Sequence, residues 1–262
     1  MGAMVTEDAE MAELLNAFLA SVFTAQASPQ VSQTVEVTDK VWMMEDFSLV
    51  EAVQVKEQLS KLDIWKSMDH GGMHPRVLRD LTEVIAGPLS IIFERSWRTG
   101  EVPKDWRKAN VTSVFKKGKK EDSGNYRPFR LTSIPGKVME QLLLGVISKH
   151  MEEKKAIRSS QHRLTNGKSC LTNLIAFYND MTGWIDEGRS VDVVYLDFSK
   201  AVDTISYSIF IGRLRKHGLD EWTVGWIENW LKDRAQKVMI SGTESSWRSI
   251  TSGVPQWGQH WV

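Results

Sequence analysis

This chain of 262 residues lacks several features that would point to secretion, to a membrane or to a zinc site. Its single cysteine, Cys170, excludes an internal disulfide and fits a reducing compartment, and no Cys/His cluster offers a zinc site. No apolar run approaches the roughly 18 residues that a membrane-spanning helix needs, and the first residues do not resemble a signal peptide. We therefore expect an intracellular protein of the cytoplasm or nucleus, with no membrane or disulfide partner and with its oligomeric state open.

The chain also has no formal net charge, yet its charges are unevenly distributed. Residues 1–63 hold 3 Lys/Arg against 11 Asp/Glu, whereas residues 104–137 hold 10 Lys/Arg against 3 Asp/Glu. Most basic runs are solvated surfaces. In the second block, however, the charges flank the apolar, strand-forming residues Val111, Val114 and Phe115. This pattern predicts a β-hairpin with a basic tip, and phosphate groups are natural ligands of such a tip.

What the chain does contain is a mixture of helical and strand-like periodicity. Helices are predicted after the candidate caps Thr6, Ser48 and Asp220, from Pro75 onward with a kink or break at Pro88, and at about 136–151, 169–186 and 208–218. The helix at 169–186 has one apolar face, made of Leu171, Leu174, Ile175, Tyr178 and Ile185. Strands are predicted at 109–115, 129–134, 191–197, 236–241 and 246–251. The expected fold class is α+β, or mixed α/β.

An apolar, β-branched run at residues 191–197 ends on an acid, Asp197, and a second acid, Asp203, follows in the sequence. Carboxylates at the end of a buried strand are suited to holding a metal ion. Magnesium prefers oxygen ligands and usually takes one or two carboxylates together with substrate phosphates. Many α/β folds have a strand that ends in Asp, so this pattern alone leaves a metal role open.

The string YLDFSKAVD at 195–203 resembles the first catalytic palm motif of the reverse transcriptases of non-LTR retrotransposons, usually written L-D-F-S-K-A-F-D. Further stretches resemble the same family in order, at 102–128, 131–141, 158–162, 167–178, 218–231 and 252–256. The pattern is most similar to the jockey-like, chicken-repeat clade of LINE elements, over roughly residues 8 to 256. The resemblance implies a partial right-hand polymerase, with fingers and the first half of the palm but no thumb.

On this resemblance we expect four regions. An acidic helical region and linker occupies 1–63, fingers with the basic hairpin 104–137 occupy 64–190, a partial palm occupies 191–256, and an aberrant tail occupies 257–262. The tail stands where the family motif continues as G-S-x-L-G, and a shifted reading frame of one permitted codon choice restores that motif. We interpret the tail as frameshifted, and an exon junction is the alternative.

The resemblance also implies a site. Asp197 matches the catalytic position that binds Mg²⁺, the family's cofactor, whereas Asp203 matches a more structural acid, a helix cap or salt-bridge partner. The positions that match nucleotide-binding residues are Lys116, Lys117, Arg127, Phe198, Val202 and Gln256. The implied partners are an RNA template and a DNA primer.

Several positions depart from the family pattern. The family places two adjacent acids after the last matched motif, and this sequence contains no Asp-Asp pair. Val202 stands where the family has a Phe that excludes a ribose 2′-hydroxyl. Arg130 stands where the family has a small residue, and a buried Arg there would need an ion-pair partner. Residues 68–72 replace a stretch that usually reads close to x-G-P-D-G.

We therefore expect a fragment of an RNA-directed DNA polymerase from a LINE-type retrotransposon, truncated within the motif at 252–256 and catalytically inactive as it stands. Two alternatives remain open. One is a residual RNA- or DNA-binding module that keeps the basic tip. The other is a polymerase that is active only when a partner supplies the missing palm and thumb.

Overall fold

The computed structural model of the chain describes residues 7–23, 50–162, 167–197 and 200–254, which form helices and one mixed β-sheet. The helices are α1 (Asp8–Ser21), α2 (Ala52–Ser60), α3 (Pro75–Asp80), α4 (Thr82–Thr99), α5 (Ile134–Glu153), α6 (Cys170–Asp186), α7 (Tyr207–Lys216) and α8 (Glu221–Leu231). The strands are β1 (Lys108–Phe115), β2 (Tyr126–Thr132), β3 (Arg234–Ile240), β4 (Thr243–Glu244) and β5 (Arg248–Ile250). The predicted mixed α/β class is confirmed.

The sheet is built on the predicted hairpin of β1 and β2, which pair antiparallel. β2 begins at Tyr126 rather than at the predicted residue 129, because the connecting turn tightens into a short 3₁₀ helix, Ser123–Asn125. β3 lies parallel to β1 on its other side and pairs antiparallel with β4 and β5. The turn after β3 falls at Ser241 and Gly242, both with positive φ, which matches the twist of the strands it joins. The second predicted hairpin is therefore confirmed.

The larger core lies among the helices. In α8 the rings of Trp226 and Trp230 stack with their centroids 5.8 Å apart, and both side chains are buried. A buried indole N–H needs a hydrogen-bond partner. The indole of Trp226 donates to Oγ of Ser96 in α4 at 2.9 Å, and the indole of Trp97 in α4 donates back to Oγ1 of Thr223 in α8 at 3.1 Å. These reciprocal bonds fix α4 against α8.

A smaller core lies between α1 and one side of the sheet. Leu15 of α1 packs with Val111 of β1 and Val238 of β3, all of them buried. Within the same interface Asn16 is fully buried, and its Nδ2 donates to Oγ of Ser245 at 2.9 Å. The hydrogen bond selects one position of α1 on the sheet, which apolar contacts alone would not do.

The helix predicted from Pro75 onward does not break at Pro88, the stronger of the two predicted effects of this proline. The chain turns at Leu81, between α3 and α4, and Pro88 lies inside α4. Proline removes one backbone donor from a helix. Ala86 and Phe93, on either side of Pro88, are both buried, and packing of this kind holds the helix together across the missing bond.

The predicted helix caps had mixed outcomes. Asp220 caps α8 as predicted, because its carboxylate accepts from the backbone N–H of Thr223 at 2.8 Å. α2 begins after Glu51, which forms a capping box with Gln54. The predicted caps Thr6 and Ser48 lie outside the described residues.

The predicted strand at 191–197 is also wrong. These residues form no regular secondary structure, and all except Val191 are exposed. A strand needs a neighbour for its backbone N–H and C=O groups, and no strand in the described ranges pairs with this run. Val194 is 79% exposed and Leu196 is 80% exposed as a result.

Helix α6 coincides with the predicted helix, but its apolar side is not covered. None of its residues is buried. The exposed fractions lie between 52 and 65% for Leu171, Leu174, Ile175, Tyr178 and Ile185.

Among the residues that the structure describes, no helix is long and apolar enough to cross a membrane.

Candidate functional site

The basic tip predicted from the sequence is the turn between β1 and β2. Lys116 and Lys117 are exposed there, and the backbone N–H of Lys116 donates to the carbonyl of Asn125 at 2.8 Å. Gly118 has a φ of +97°, and a Cβ at this position would lie 2.6 Å from Nδ2 of Asn125. A residue with a Cβ would be strained at this positive φ, and the Asn125 amide would have to move aside. The closed turn presents its ammonium groups to solvent at one end of the sheet.

Arg127 lies on β2, directly opposite Val114 of β1, and its side chain is exposed. Its guanidinium carbon is 5.8 Å from the ring centre of Phe129, a cation–π distance. Arg127 therefore lies at the same end of the hairpin as Lys116 and Lys117. Their role as nucleotide ligands stays a prediction.

The segment 200–205, which follows Asp197 in the chain, packs against the segment 252–254. The carbonyl of Val202 accepts a backbone hydrogen bond from the second segment at 3.1 Å. Gly253 has a φ of +82°, and a Cβ there would lie 2.7 Å from the backbone of Asp203, so this contact requires glycine. The fold thus brings together two of the stretches that carry the family resemblance.

Arg130 has the partner that its position demands. Its Nη2 lies 3.2 Å from Oδ1 of Asp203, and the two side chains are 16% and 22% exposed. Its Nε donates to Oε1 of Gln236 at 3.3 Å, and its guanidinium lies 5.8 Å from the ring centre of Phe23. The predicted role of Asp203 as a salt-bridge partner is confirmed. Gln236 and Phe23 were missed, since only the charge within an apolar strand signalled that a partner was needed.

The departure at 68–72 has a structural consequence that the sequence did not reveal. Oδ1 of Asp69 accepts from the backbone N–H groups of Gly71 and Met73, each at 2.9 Å. Its Oδ2 accepts from the N–H of Ile134, the first residue of α5, at 3.1 Å. The first N–H groups of a helix lack partners within the helix and favour negative charge. Asp69 therefore ties this loop to the helix that follows the hairpin.

Helix α1 supports the same region from the acidic end of the chain. Nζ of Lys200 lies 5.3 Å from the ring centre of Phe18. On the other side of α1, the Glu13 carboxylate accepts hydrogen bonds from Ser246 and lies 3.6 Å from Arg248. The hydrogen bonds from Ser246 lower the pKa of Glu13. α1 therefore contacts Lys200 in the segment 200–205 and residues 246–248, which precede the segment 252–254.

Buried titratable groups lie beneath this region. Burial raises the pKa of Glu140 in α5 to about 7, although the charges of Arg234 and Lys137 act in the opposite direction. Burial also lowers the pKa of Arg234 and raises that of Tyr207. The Tyr207 hydroxyl donates to the carbonyl of Ser252 at 3.3 Å. These groups join α5, α7 and β3 below the segment 252–254.

Asp197 is the predicted metal ligand. Asp197 is exposed at the end of the irregular run 191–197. Across the described ranges, no group of three or more His, Cys, Asp or Glu side chains could hold a metal ion. The role of Asp197 as a ligand of Mg²⁺ stays a prediction, and we derive no step through the metal. Phe198 and Gln256 lie outside the described residues.

Comparison with known proteins defines the class. A sequence profile of the family described as "Reverse transcriptase (RNA-dependent DNA polymerase)" matches residues 116–258, which is more than half of the chain. The chain belongs to this family.

Individual relatives narrow the class further. The chain is 26% identical over 212 residues to the "RNA-directed DNA polymerase from mobile element jockey" of Drosophila melanogaster, and 28% identical over 206 residues to the jockey polymerase of Drosophila funebris. It is 24% identical over 204 residues to the "Probable RNA-directed DNA polymerase from transposon BS" of Drosophila melanogaster. The matches cover 78–80% of this chain and 22–23% of each relative. They confirm the resemblance to jockey-like non-LTR retrotransposons, and the chain spans under a quarter of these relatives.

Proposed function

We propose that this chain is the fingers and the first half of the palm of an RNA-directed DNA polymerase from a LINE-type retrotransposon. Residues 64–190 are the fingers and residues 191–256 the partial palm, with 1–63 leading into them. The contact between the segments 200–205 and 252–254 best supports this proposal. Two stretches that resemble the family meet there beside the hairpin. The hydroxyl of Ser252 donates to the carbonyl of Asp203, 49 residues earlier in the chain.

The proposed partners follow from the charge of the hairpin. Cationic side chains at its tip suit the phosphates of an incoming nucleotide and of an RNA template with its DNA primer. Asp197 is proposed as the catalytic, metal-binding position. The proposed nucleotide-binding residues are Lys116, Lys117, Arg127, Phe198, Val202 and Gln256.

We further propose that the 262-residue chain alone does not extend a primer. Nucleotidyl transfer with two metals needs several carboxylates around the ions, and the sequence has no Asp-Asp pair to join Asp197. The test is extension of a labelled DNA primer on an RNA template with magnesium and deoxynucleotides, by wild type and by Asp197→Ala. We expect both to give background signal. Extension by wild type that Asp197→Ala abolishes would overturn this part of the proposal.

A binding experiment tests the proposed role of the hairpin tip. RNA affinity should fall steeply with salt, because binding releases counterions from the phosphates. Replacing Lys116, Lys117 and Arg127 together by Ala should reduce the slope of log affinity against log salt by about 2, at about 0.7 per phosphate contact for a single strand. The control replaces Lys149, Arg213 and Lys216 together by Ala. It removes the same amount of positive charge near the ends of α5 and α7, and it should leave the slope unchanged. Equal slopes for wild type and both variants would show that the hairpin tip does not contact RNA phosphates.

A nucleic-acid-binding module without polymerase activity is the second candidate function. The exposed basic turn, closed by the hydrogen bond between Lys116 and Asn125, favours it, since phosphate binding needs no completed palm. Binding without extension, even when a chain that supplies the missing palm and thumb is added, would support this candidate. Extension restored by that added chain would support a partner-dependent polymerase instead.

A further inference from the structure

Tyr207, the first residue of α7, contacts the end of β5 and the segment that follows it. Its hydroxyl lies 3.3 Å from the carbonyl oxygens of both Ile250 and Ser252. A phenol has one proton and can donate it to only one of these carbonyls at a time. Tyr207 is thus one of the groups that hold the segment 252–254 in place against the segment 200–205.

Arg234 of β3 is a buried cation beside Tyr207. It is paired with Ile250 across the sheet and is 3% exposed. Its guanidinium carbon is 4.9 Å from the ring centre of Trp230, and its Nε has no hydrogen-bond partner in the described structure. Within the described ranges, no carboxylate lies at ion-pair distance from this guanidinium. A buried charge without an ion pair is costly, so its position is sensitive to the charges around it.

Glu140 of α5 is the buried acid whose charge acts on Arg234. It is 5% exposed and forms no close ion pair of its own with any described residue. Burial raises its pKa to about 7, against the opposing charges of Arg234 and of Lys137, which lies one turn earlier in α5. Lys137 is itself partly buried, and burial lowers its pKa from 10.5. Glu140 therefore gains its charge as the pH rises through about 7.

The other groups of this cluster keep their charge near neutral pH. Arg130 of β2 acts on both Arg234 and Tyr207. It is paired with Asp203, and a guanidinium does not lose its proton in a protein. Burial raises the pKa of Tyr207, although Arg234 acts in the opposite direction through its charge and a hydrogen bond. The change of charge near neutral pH therefore comes from Glu140.

We propose that the charge of Glu140 controls how firmly Tyr207 holds the segment 252–254. Arg234 transmits the change. When Glu140 is protonated, the guanidinium donates to the Tyr207 oxygen and so strengthens the donation of the hydroxyl to the carbonyls. When Glu140 is ionised, its carboxylate attracts the guanidinium away from Tyr207. The hydroxyl loses that support, and the segment 252–254 loosens against the segment 200–205.

The experiment follows the backbone amide signals of Gly253 and Val254 by nuclear magnetic resonance in the whole 262-residue chain. Both N–H groups donate to carbonyls of the segment 200–205, so their chemical shifts report this contact in the folded state. Over about two pH units on either side of 7, both wild-type signals should shift with a midpoint near pH 7. Glu140→Gln cannot ionise, and it should hold both signals at their low-pH positions.

Tyr207→Phe tests the route of the effect. This variant keeps the ring, Glu140 and Arg234 and removes only the hydroxyl. The signals of Gly253 and Val254 should then no longer respond to pH near 7. Circular dichroism checks that each variant is folded, and Tyr207→Phe still tests the proposal if Glu140→Gln does not fold.

His150→Gln is the matched control, because histidine changes its charge in the same pH range. His150 also lies on α5, near the opposite end of the helix from Glu140, and its Nε2 is 2.8 Å from the carbonyl oxygen of His217. This variant should leave the titration of Gly253 and Val254 unchanged. Loss of the titration in His150→Gln would assign it to a histidine and overturn the proposal.

Three further outcomes would overturn the proposal. They are wild-type signals of Gly253 and Val254 that do not titrate near pH 7, signals that still titrate in Glu140→Gln, and a titration that survives in Tyr207→Phe. The measurement needs neither RNA nor primer, so its failure leaves the proposed function as it stands. Failure of RNA binding or of primer extension likewise leaves the role of Glu140 as it stands.

Discussion

Helices α8 and α6 were both predicted from the helical spacing of apolar residues, but α8 is buried in the core and α6 is exposed. Trp226, Ile227 and Trp230 of α8 are at most 1% exposed. The apolar residues of α6, such as Leu174 and Tyr178, are more than half exposed. Helical periodicity identifies which side of a helix is apolar. It does not show whether the rest of the chain supplies a surface to cover that side.

The difference extends to the neighbouring segments. α8 lies against α4 and α7, and the indole of its Trp226 donates to the hydroxyl of Ser96, while the hydroxyl of its Thr223 accepts from the indole of Trp97 in α4. α6 is followed by the run 191–197, which is itself exposed and unpaired in the described structure. One part of the molecule thus has a complete core, and the other carries apolar surface on consecutive segments.

The largest effect should come from emptying the complete core. Trp226→Ala removes a buried ring and its hydrogen bond to Ser96, and it should lower the free energy of unfolding by about 3–5 kcal/mol. Tyr178→Ala on α6 should change it by no more than about 0.5 kcal/mol, because the ring packs against little. Urea unfolding followed by circular dichroism measures both. A cost for Tyr178→Ala that approaches the cost for Trp226→Ala would break the comparison.

The buried carboxyl of Glu140 predicts that the stability of the packed part of the molecule depends on pH. Its pKa of about 7 in the folded state exceeds its usual value of 4.5, so the folded state holds its proton more tightly. Its contribution to stability is present in full below pH 4.5 and is lost as the pH rises through 7, a change of roughly 3 kcal/mol at about 1.4 kcal/mol for each pH unit. Glu140→Gln should flatten this fall, as measured by urea unfolding between pH 5 and pH 8. Parallel pH profiles for variant and wild type would contradict the assignment.

The ion pair between Arg130 and Asp203 offers a test of intermediate size. Both side chains are largely buried, so Asp203→Ala leaves a guanidinium without its carboxylate and should cost about 2 kcal/mol. Arg130→Ser, which restores the small residue typical of the family, should cost less in the Asp203→Ala background than in wild type. A double-mutant cycle measures this coupling. Strict additivity of the two substitutions would show that the pair contributes nothing.

The smallest effect on stability is expected on α6, together with a visible effect on solubility. Exposed apolar patches favour association. Replacing Leu174 and Ile175 by Gln should raise the protein concentration at which aggregation begins and change the free energy of unfolding by no more than about 0.5 kcal/mol. Light scattering and urea unfolding measure the two quantities. Loss of folding in this variant would mean that α6 is packed after all.

Much of the hairpin could be predicted from the sequence because its signals are local. Alternating apolar residues, a glycine in the turn and flanking lysines lie within about 20 residues, and strand pairing follows from them. The strand at 191–197 could not be decided in this way. Its β-branched residues indicate extended backbone, but a strand also requires a neighbour, and no described strand lies beside it.

The sequence by itself determined the family, the order of the motifs, the cap of α8, the turns of the two hairpins and the apolar side of α6, because these depend on neighbouring residues. Only the tertiary structure decided which apolar sides are covered. It also decided that Asp203 pairs with Arg130, that Asp69 accepts from the first N–H group of α5, and that Gly253 packs against the backbone of Asp203. These contacts join residues far apart in the chain, and no local pattern specifies the partner of a charge or of an apolar surface.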